Sequence, residues 1–491
     1  MTVRTVKTKA GTSVQIIHYH NGQRDFVKHV GSGTTLEEIE TLKLTANKWI
    51  RNFYGQGSLF DETRDAKKFL FGNFKNLGIR YNFFAEEINK IFELFRLADI
   101  SCQLFLDLVM VRIFEPASKL QSQKILSKYF GRDYEITSLY KNLPGILSLK
   151  DTVENKLIEF VKIRFGFDFS FVLYDVTTLY FESFTPDDFR KPGFSKENKS
   201  NQPQIVIGLM VDNNGFPLTY SVFEGNKFEG KTFLPVIQNF QQKYNVETLT
   251  VVADAAMISW DNVQKLKGAG LSYIVGARLG NLNHKLIAEI AQKLDQQESA
   301  NLRLETDKGF LVCDFSKKRF DKDKSDMEKQ INKAKLALDN RQTVKRHKFL
   351  TTGQTEMALN QALIDKTKLH LGIKGYYTNL SLPNEIIISR YHDLWKIEKA
   401  FKISKSDLLA RPIFHFKKAA IEAHILICMV AVAVLKFVEI ETNVSARKFV
   451  EMLSEVTDTL VYNPKTREEF FWRSEIPEDT QKFQIQLFGQ H

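Results

Sequence analysis

Cysteine is scarce: Cys102, Cys313 and Cys428 are the only three in 491 residues. They are odd in number, far apart and form no CxxC pair, which excludes a disulfide framework and a zinc ribbon. A reducing, cytoplasmic setting suits them. No GxxxxGK word followed by Ser or Thr occurs, and no GxSxG word, so neither a P-loop nor a nucleophile elbow is encoded. His392, His415 and His424 lack metal-ligand spacing. There is no internal repeat and no low-complexity tract. Long apolar runs are also missing. The most membrane-like stretch, Ile425 to Leu435, is shorter than the roughly 20 residues that span a bilayer. Glu422 and His424 precede it and Lys436 follows. A buried core helix over 416–440, with no membrane partner, is the expectation. Met1-Thr-Val-Arg-Thr-Val-Lys7 lacks the apolar core of a signal peptide.

What is plentiful is charge, and more of it is positive. There are 69 Lys+Arg against 58 Asp+Glu, a formal net charge of +11. That balance favours a polyanionic partner. The chain is 43% hydrophobic and 26% charged, as globular proteins are, and long enough for several domains.

The pattern changes several times along the chain. Val14–His20 and Arg24–Val30 flank Asn21-Gly22, a hairpin signal. Thr34 or Thr35 is placed to cap the next helix, with Glu37 and Glu38 in its first turn. Residues 55–65 read as a polar linker. From about 84 to 165 the apolar spacing is helical, as in Ile88, Ile91, Phe92 and Phe95. Within it, Ala117–Gly131 and Ile136–Asn142 read as helix, Gly turn, helix, with Lys, Ser and Gln side chains facing outward. Both a helix-turn-helix DNA reader and an ordinary helical hairpin fit that pattern.

Strands dominate from 166 to 280. Phe169–Thr178, Gln204–Asp212 and Phe216–Phe223 are hairpin-linked, then helices over 232–243 and 260–267 alternate with strands over 248–254 and 272–276. This is an α/β layout, in the strand order of a ribonuclease-H-like domain. Residues 281–384 depart from it. Short strands at 302–304 and 310–315 precede a charged helix from 316 to about 338, and residues 316–348 hold 12 Lys+Arg against 5 Asp+Glu. A solvated face and a DNA contact both fit such a helix. Gly375–Leu380 reads as a strand able to return to the main sheet, and 384–404 as one long helix. The expected domains are an N-terminal hairpin and helix (1–62), a helical DNA-binding region (63–165), a catalytic domain (166–280) interrupted by an insertion (281–384), its last helices (385–445) and a C-terminal region (446–491).

Three acids stand out within this layout. Asp175 lies inside the apolar run Phe171–Leu179, Asp254 ends the run Leu249–Asp254, and Glu398 sits on the predicted helix. An aspartate in an apolar strand is costly unless something positive pairs with it. A buried salt bridge serves one such residue, whereas a hard divalent cation accounts for both. Trp395, Glu398, Lys402 and Lys405 are spaced to share one helical face, so a Glu398–Lys402 salt bridge is the alternative for the glutamate. Asp187 and Asp188 lie in a polar loop, Asp212 is placed to cap a turn, and Glu224 is a weaker candidate for substrate contact.

These residues carry a resemblance. Tyr391, Glu398 and Lys405 match the Tyr-Arg-Glu-Lys signature spacing of DDE transposases in the insertion-sequence-four-like superfamily, with Leu394 where arginine is expected. Tyr174–Thr178, Val252–Met257, Ile274–Arg278, Glu224–Asn226, Trp395–Phe401 and Lys405–Pro412 also resemble family segments. The resemblance covers roughly 165–435. The gap from Asp254 to Glu398 is nearly twice that from Asp175 to Asp254, as a family insertion there implies.

The resemblance implies a transposase that binds the terminal inverted repeats of its element, cuts the DNA ends and joins them to target DNA. Asp175, Asp254 and Glu398 would be its catalytic and metal-binding residues, holding Mg²⁺ or Mn²⁺, two ions per site. Tyr391 and Lys405 would contact DNA, and Lys402 or Arg411 would stand in for the missing arginine. A homodimer on double-stranded DNA and a nucleoid-associated location follow from the same resemblance. A ribonuclease-H-like nuclease without strand transfer and an inactive DNA-binding derivative are the alternatives. A glycosidase with two carboxylates suits the basic charge poorly.

Overall fold

The computed structural model describes residues 1–491 except 9–10, 21–22, 54–73, 183–184, 194–200, 228, 256–259, 340–346, 353–356, 465 and 490–491. The expected Asn21-Gly22 turn and most of the 55–65 linker therefore lie outside the described residues. The chain divides into two compact units, 1–78 with 460–472, and 79–459 with 473–491.

In the first unit, β1 (Thr2–Thr8), β2 (Gly11–His20) and β3 (Gln23–Gly33) form an antiparallel sheet. The expected hairpin is present as β2 and β3, joined by β1. The helix Leu36–Phe53 packs on it around Val14, Ile16 and Ala46. Its start is a capping box: the Glu38 amide donates to the Thr35 hydroxyl, and the Glu38 carboxylate accepts from the Thr34 and Thr35 amides. β4 (Lys75–Arg80) belongs to a separate three-stranded sheet with β15 (Asp458–Asn463) and β16 (Glu468–Arg473).

The second unit is built on an eight-stranded mixed sheet. Its strands are β5 (Phe171–Tyr180), β6 (Gln204–Val211), β7 (Pro217–Glu224), β8 (Thr250–Ala253), β9 (Ser272–Ala277), β10 (Asn301–Thr306), β11 (Gly309–Phe315) and β14 (Ile373–Thr378). They are ordered β10-β11-β14-β9-β8-β5-β6-β7. β5, β6 and β7 are antiparallel, while β8 and β9 run parallel to β5. The anticipated hairpin-linked triplet followed by alternating helix and strand is thus present. β10, β11 and β14 extend the same sheet beyond β9, pairing antiparallel. The charged helix, Lys317–Asp339, and the small hairpin β12 (Leu350–Thr352) and β13 (Met357–Leu359) lie between β11 and β14 in the chain. A small cluster, including Met327, Ala334, Phe349 and Ile364, buries the apolar side of that helix.

Five helices between Asn82 and Phe165 precede the sheet. They pack on the rest of the unit through aromatic rings: Phe95 and Phe160 make edge or tilted contacts with each other, with Phe216 before β7 and with Phe437 in the helix Lys418–Thr442. The apolar run lies in the helix Lys418–Thr442, whose most apolar window has a mean hydropathy of 2.2 and is 94% buried inside this fold. Each aliphatic side chain removed from water there contributes about 1.5–3 kcal/mol.

Two local expectations are corrected. The stretch 384–404 is not one helix: Asn384–His392 ends at Asp393, Leu394–Lys402 starts anew, and Ile403–Asp407 is a π turn. A π turn shifts the helical phase, so Lys405 falls out of register with Glu398 and Lys402. In the 117–142 hairpin, Lys119 and Ser122 are buried rather than outward, while Lys124 and Lys128 are exposed. Burial follows because this hairpin packs against other helices, and Ile136–Leu147 meets Lys418–Thr442.

Candidate active site

Strand pairing sets the site. β5 and β8 are parallel neighbours, and Tyr174 pairs with Ala253. Asp175 and Asp254 are the next residues on each chain, so two carboxylates stand side by side where β8 ends. Side chains alternate across a sheet. The Tyr174 hydroxyl lies 3.1 Å from the Thr232 hydroxyl on one face. Asp175 therefore belongs to the opposite face with Thr177 and Leu179. Thr177 and Leu179 line a cavity with Ala400 and Phe401, so the helix Leu394–Lys402 covers the Asp175 face. That helix carries Glu398.

The carboxylates differ in exposure. Asp175 is half-buried, while Asp254 and Glu398 are exposed. One Asp254 oxygen, Oδ1, accepts from the Ala255 amide at 2.7 Å and from the Tyr391 hydroxyl at 3.1 Å. Glu398 forms no ion pair with Lys402 among the described residues, which removes the salt-bridge alternative.

Tyr391 is only 5% exposed. Its ring lies 4.7 Å from that of Tyr376, and the Lys374 ammonium sits 4.6 Å from its centroid. Burial pushes its phenol well above the usual range, and the charges of Asp254 and Asp175 push it further. The hydroxyl thus stays protonated and donates. Burial also lowers the Lys374 ammonium, helped by Arg319 and opposed by Asp314, Asp254 and Glu398. Tyr391 therefore senses both aspartates, and Lys374 senses Asp254 and Glu398. Gly276 on β9 makes room: a Cβ there would come within 2.4 Å of the Tyr391 hydroxyl.

A cavity of about 410 Å³ opens beside Asp254, lined by Gly276, Arg319, Lys348, Lys374 and Tyr391 among others. Lys374 and Arg319 were not singled out from sequence. Lys374 sits immediately before the Gly375–Leu380 run expected to return to the sheet, and only that return brings it to Asp254.

The remaining candidates are dispersed. Lys402 is exposed near the helix end, and Lys405 is half-buried in the π turn. Arg411 lines a different cavity and lies 5.4 Å from the Tyr180 ring centroid. Leu394, where the signature has arginine, is 9% exposed and faces the core. Glu224 pairs with Lys191 at 3.2 Å, and Asp187 with Arg190 at 2.7 Å. Asp212 accepts from the Asn214 and Phe216 amides, closing its turn as expected.

An all-carboxylate donor set suits a hard divalent cation. Among the described residues no three His, Cys, Asp or Glu side chains are gathered closely enough to enclose an ion by themselves. Ions with few protein ligands and several waters are the kind such an open arrangement fits.

Comparison with known proteins gives a matching family and similar solved structures. No curated protein matches. A cryo-EM structure of a piggyBac transposase synaptic complex with hairpin DNA is similar over 70% of this chain and 68% of that one, at 12% identity and a TM-score of 0.38. The model of the transposase DDE domain matches residues 166–434, more than half of the chain, from just before β5 to within the core helix. It spans Asp175, Asp254 and Glu398, and the chain belongs to the transposase DDE domain family.

Proposed function

We propose that this transposase binds the terminal inverted repeats of its own element, cleaves the DNA ends and joins the freed 3′-hydroxyl to target DNA, as an insertion-sequence-four-like enzyme. The observation that carries the reading is the β5–β8 register, which sets Asp175 beside Asp254 under the helix bearing Glu398.

Asp175, Asp254 and Glu398 would hold the divalent cations that this family uses, Mg²⁺ or Mn²⁺. When bound, such ions activate a hydroxyl or water and stabilise the leaving oxygen of an in-line displacement. The protein's own residues supply the rest. Tyr391 donates to one oxygen of Asp254, orienting that carboxylate. Lys374 places a positive charge beside Asp254 and Glu398, offsetting their repulsion. Lys402 and Lys405, as point charges, would contact phosphate. The helical region 63–165 and the insertion 281–384 are proposed to bind DNA, and two copies would bring two ends together, with DNA driving the pairing by mass action. The cell's nucleoid is the expected location.

The test uses an end-repeat duplex with Mg²⁺, Mn²⁺ or Ca²⁺, scored separately for cutting and for joining to a target plasmid. Cutting and joining with Mg²⁺ or Mn²⁺ is the expected result. Cutting without joining would establish the nuclease alternative. DNA binding without metal-dependent cutting would establish the inactive derivative.

A further inference from the structure

A second cavity, of about 230 Å³, lies apart from the carboxylates and shares none of the residues around Asp254. Arg112, Lys119, Arg411, His415 and His424 all line it. No carboxylate is among the described residues that do. Three helices and the segment after the π turn bring these groups together: Gln103–Phe114, the start of Lys119–Ile125, and Lys418–Thr442.

The cluster is unusual in gathering buried basic side chains with no carboxylate among the described residues that line the cavity. Arg112 is 5% exposed, Lys119 3%, His415 8% and His424 5%. Two of them have roles within the fold. The Arg112 guanidinium donates to the Ala117 carbonyl at 2.8 Å and the Leu408 carbonyl at 3.4 Å, tying two segments together. His424 Nε2 donates to the Ala410 carbonyl at 3.1 Å. Lys119 has no such role. Its ammonium makes no hydrogen bond or ion pair among the described residues, yet it lines the cavity. A buried cation normally has a partner, because the desolvation cost is otherwise uncompensated. Burial pushes Lys119 down to about 7, with Arg112 pushing the same way, and His415 down to about 4. A negative charge in the cavity would relieve both.

The rim adds a second observation. Tyr140, Leu409 and Phe414 line the mouth at 46%, 50% and 60% exposure. The Tyr140 ring is 6.2 Å from His415, which is 5.6 Å from His424, so an aromatic path runs from surface to interior. Exposed rings beside a cationic pocket match the chemistry of a nucleic-acid strand, whose bases stack on aromatic faces while its phosphates seek cations. The cavity is smaller than those that enclose drug-sized ligands, and suits a single small anion.

We propose that this cavity is an anion subsite that receives a phosphate group of bound DNA, with Tyr140 and Phe414 as surfaces on which adjoining bases stack. The choice of DNA rests on the transposase reading, whereas the anion site does not. Both source phosphates, a backbone diester and a 5′-terminal group, present anionic non-bridging oxygens, and the test separates them.

The full-length protein is examined in EDTA, so the carboxylate site takes no part. Inorganic phosphate should raise the melting temperature more than sodium chloride of equal ionic strength, and should shift the His415 and His424 imidazole resonances. Lys119→Met, which keeps the volume apolar, should abolish the phosphate response. It should weaken binding of a short oligonucleotide roughly tenfold and make the salt dependence shallower by about one phosphate contact. A difference present only with a 5′-phosphorylated oligonucleotide would assign the terminal group, and one present with both would assign the backbone. Unshifted imidazole resonances in the wild-type protein would overturn the anion site, even if Lys119→Met fails to fold. A phosphate response without any change in oligonucleotide affinity would overturn the assignment to DNA.

Discussion

Two sets of carboxylates in the second unit make an instructive contrast. Asp107, Glu154 and Asp212 are almost completely buried, and each is surrounded by donors. Asp107 accepts from Arg132, from Gln103 at 2.7 Å and from the Tyr134 hydroxyl at 2.6 Å. Glu154 accepts from Thr219 at 2.7 Å and Lys243 at 2.9 Å. Asp212 accepts from two backbone amides. Asp254 and Glu398 are exposed, and among the described residues Asp254 accepts from Tyr391 and its own neighbour Ala255. A buried acid with a full set of donors serves the fold. Exposed acids such as Asp254 and Glu398 retain lone pairs for something outside the chain.

The sharpest way to break that contrast is to neutralise both sets. Asp175→Asn, Asp254→Asn or Glu398→Gln should each lower metal-dependent cleavage by a hundredfold to a thousandfold or more, on the order of losing a key electrostatic partner. For the exposed Asp254 and Glu398, unfolding free energy should change by only about 0.5 kcal/mol. Wild-type cleavage rates in all three variants would remove the site assignment.

The opposite result is expected for the buried set. Asp107→Ala strands Arg132, and Glu154→Ala removes the acceptor of Thr219 and one of the two carboxylates that hold Lys243, the other being Asp151. Each should destabilise by about 3–5 kcal/mol, as when one partner of a buried pair is removed. Urea unfolding measures this. Unchanged midpoints would show that burial and donor count do not separate the two sets.

A smaller effect tests the Tyr391–Asp254 bond. Gly276→Ala intrudes on the Tyr391 hydroxyl and should reduce cleavage about tenfold or more, since small misplacements near reacting groups are costly. Tyr391→Phe removes the same bond without the intrusion. The two variants should lose similar activity if the bond matters, and Gly276→Ala alone should suffer if the space matters.

Asp212 sharpens the comparison by pH. Burial raises its carboxyl to about 6 from the ordinary 3.8, despite its amide donors. The folded form then holds more protons than the unfolded form between those values. Its contribution to stability is present below pH 4 and lost as pH rises through 6. Asp212→Asn should flatten stability over that window, as read by thermal unfolding from pH 4 to 7. The smallest effect belongs to Lys402→Ala, which should leave folding intact and reduce the salt dependence of DNA binding by about one phosphate.

Much of this site was legible along the chain because its carriers are local patterns. An aspartate in an apolar strand run, another ending such a run, and a glutamate on a helix are visible at Asp175, Asp254 and Glu398 without a structure. The buried fate of Ile425–Leu435 was legible from its length and its flanking polar residues. The break at Asp393 was not, because the apolar spacing continues across it. The burial of Tyr391 was hidden by its place in a signature associated with phosphate contact. Leu394 shows how a departure from a signature acquires a physical reason: its side chain is packed in the core.

The amino-acid order by itself determined which segments become strands and helices and which acids would be costly unless paired. Periodicity and composition act over a few residues, and those are present in the sequence directly. Only the tertiary structure decided what meets what. β14 returns from far along the chain to pair with β9, and that return carries Lys374 to Asp254. The packing of Gln103–Phe114, Lys119–Ile125 and Lys418–Thr442 gathers Arg112, Lys119 and His424 around one cavity. Such meetings depend on sheet register and helix packing between distant segments, which no local pattern specifies.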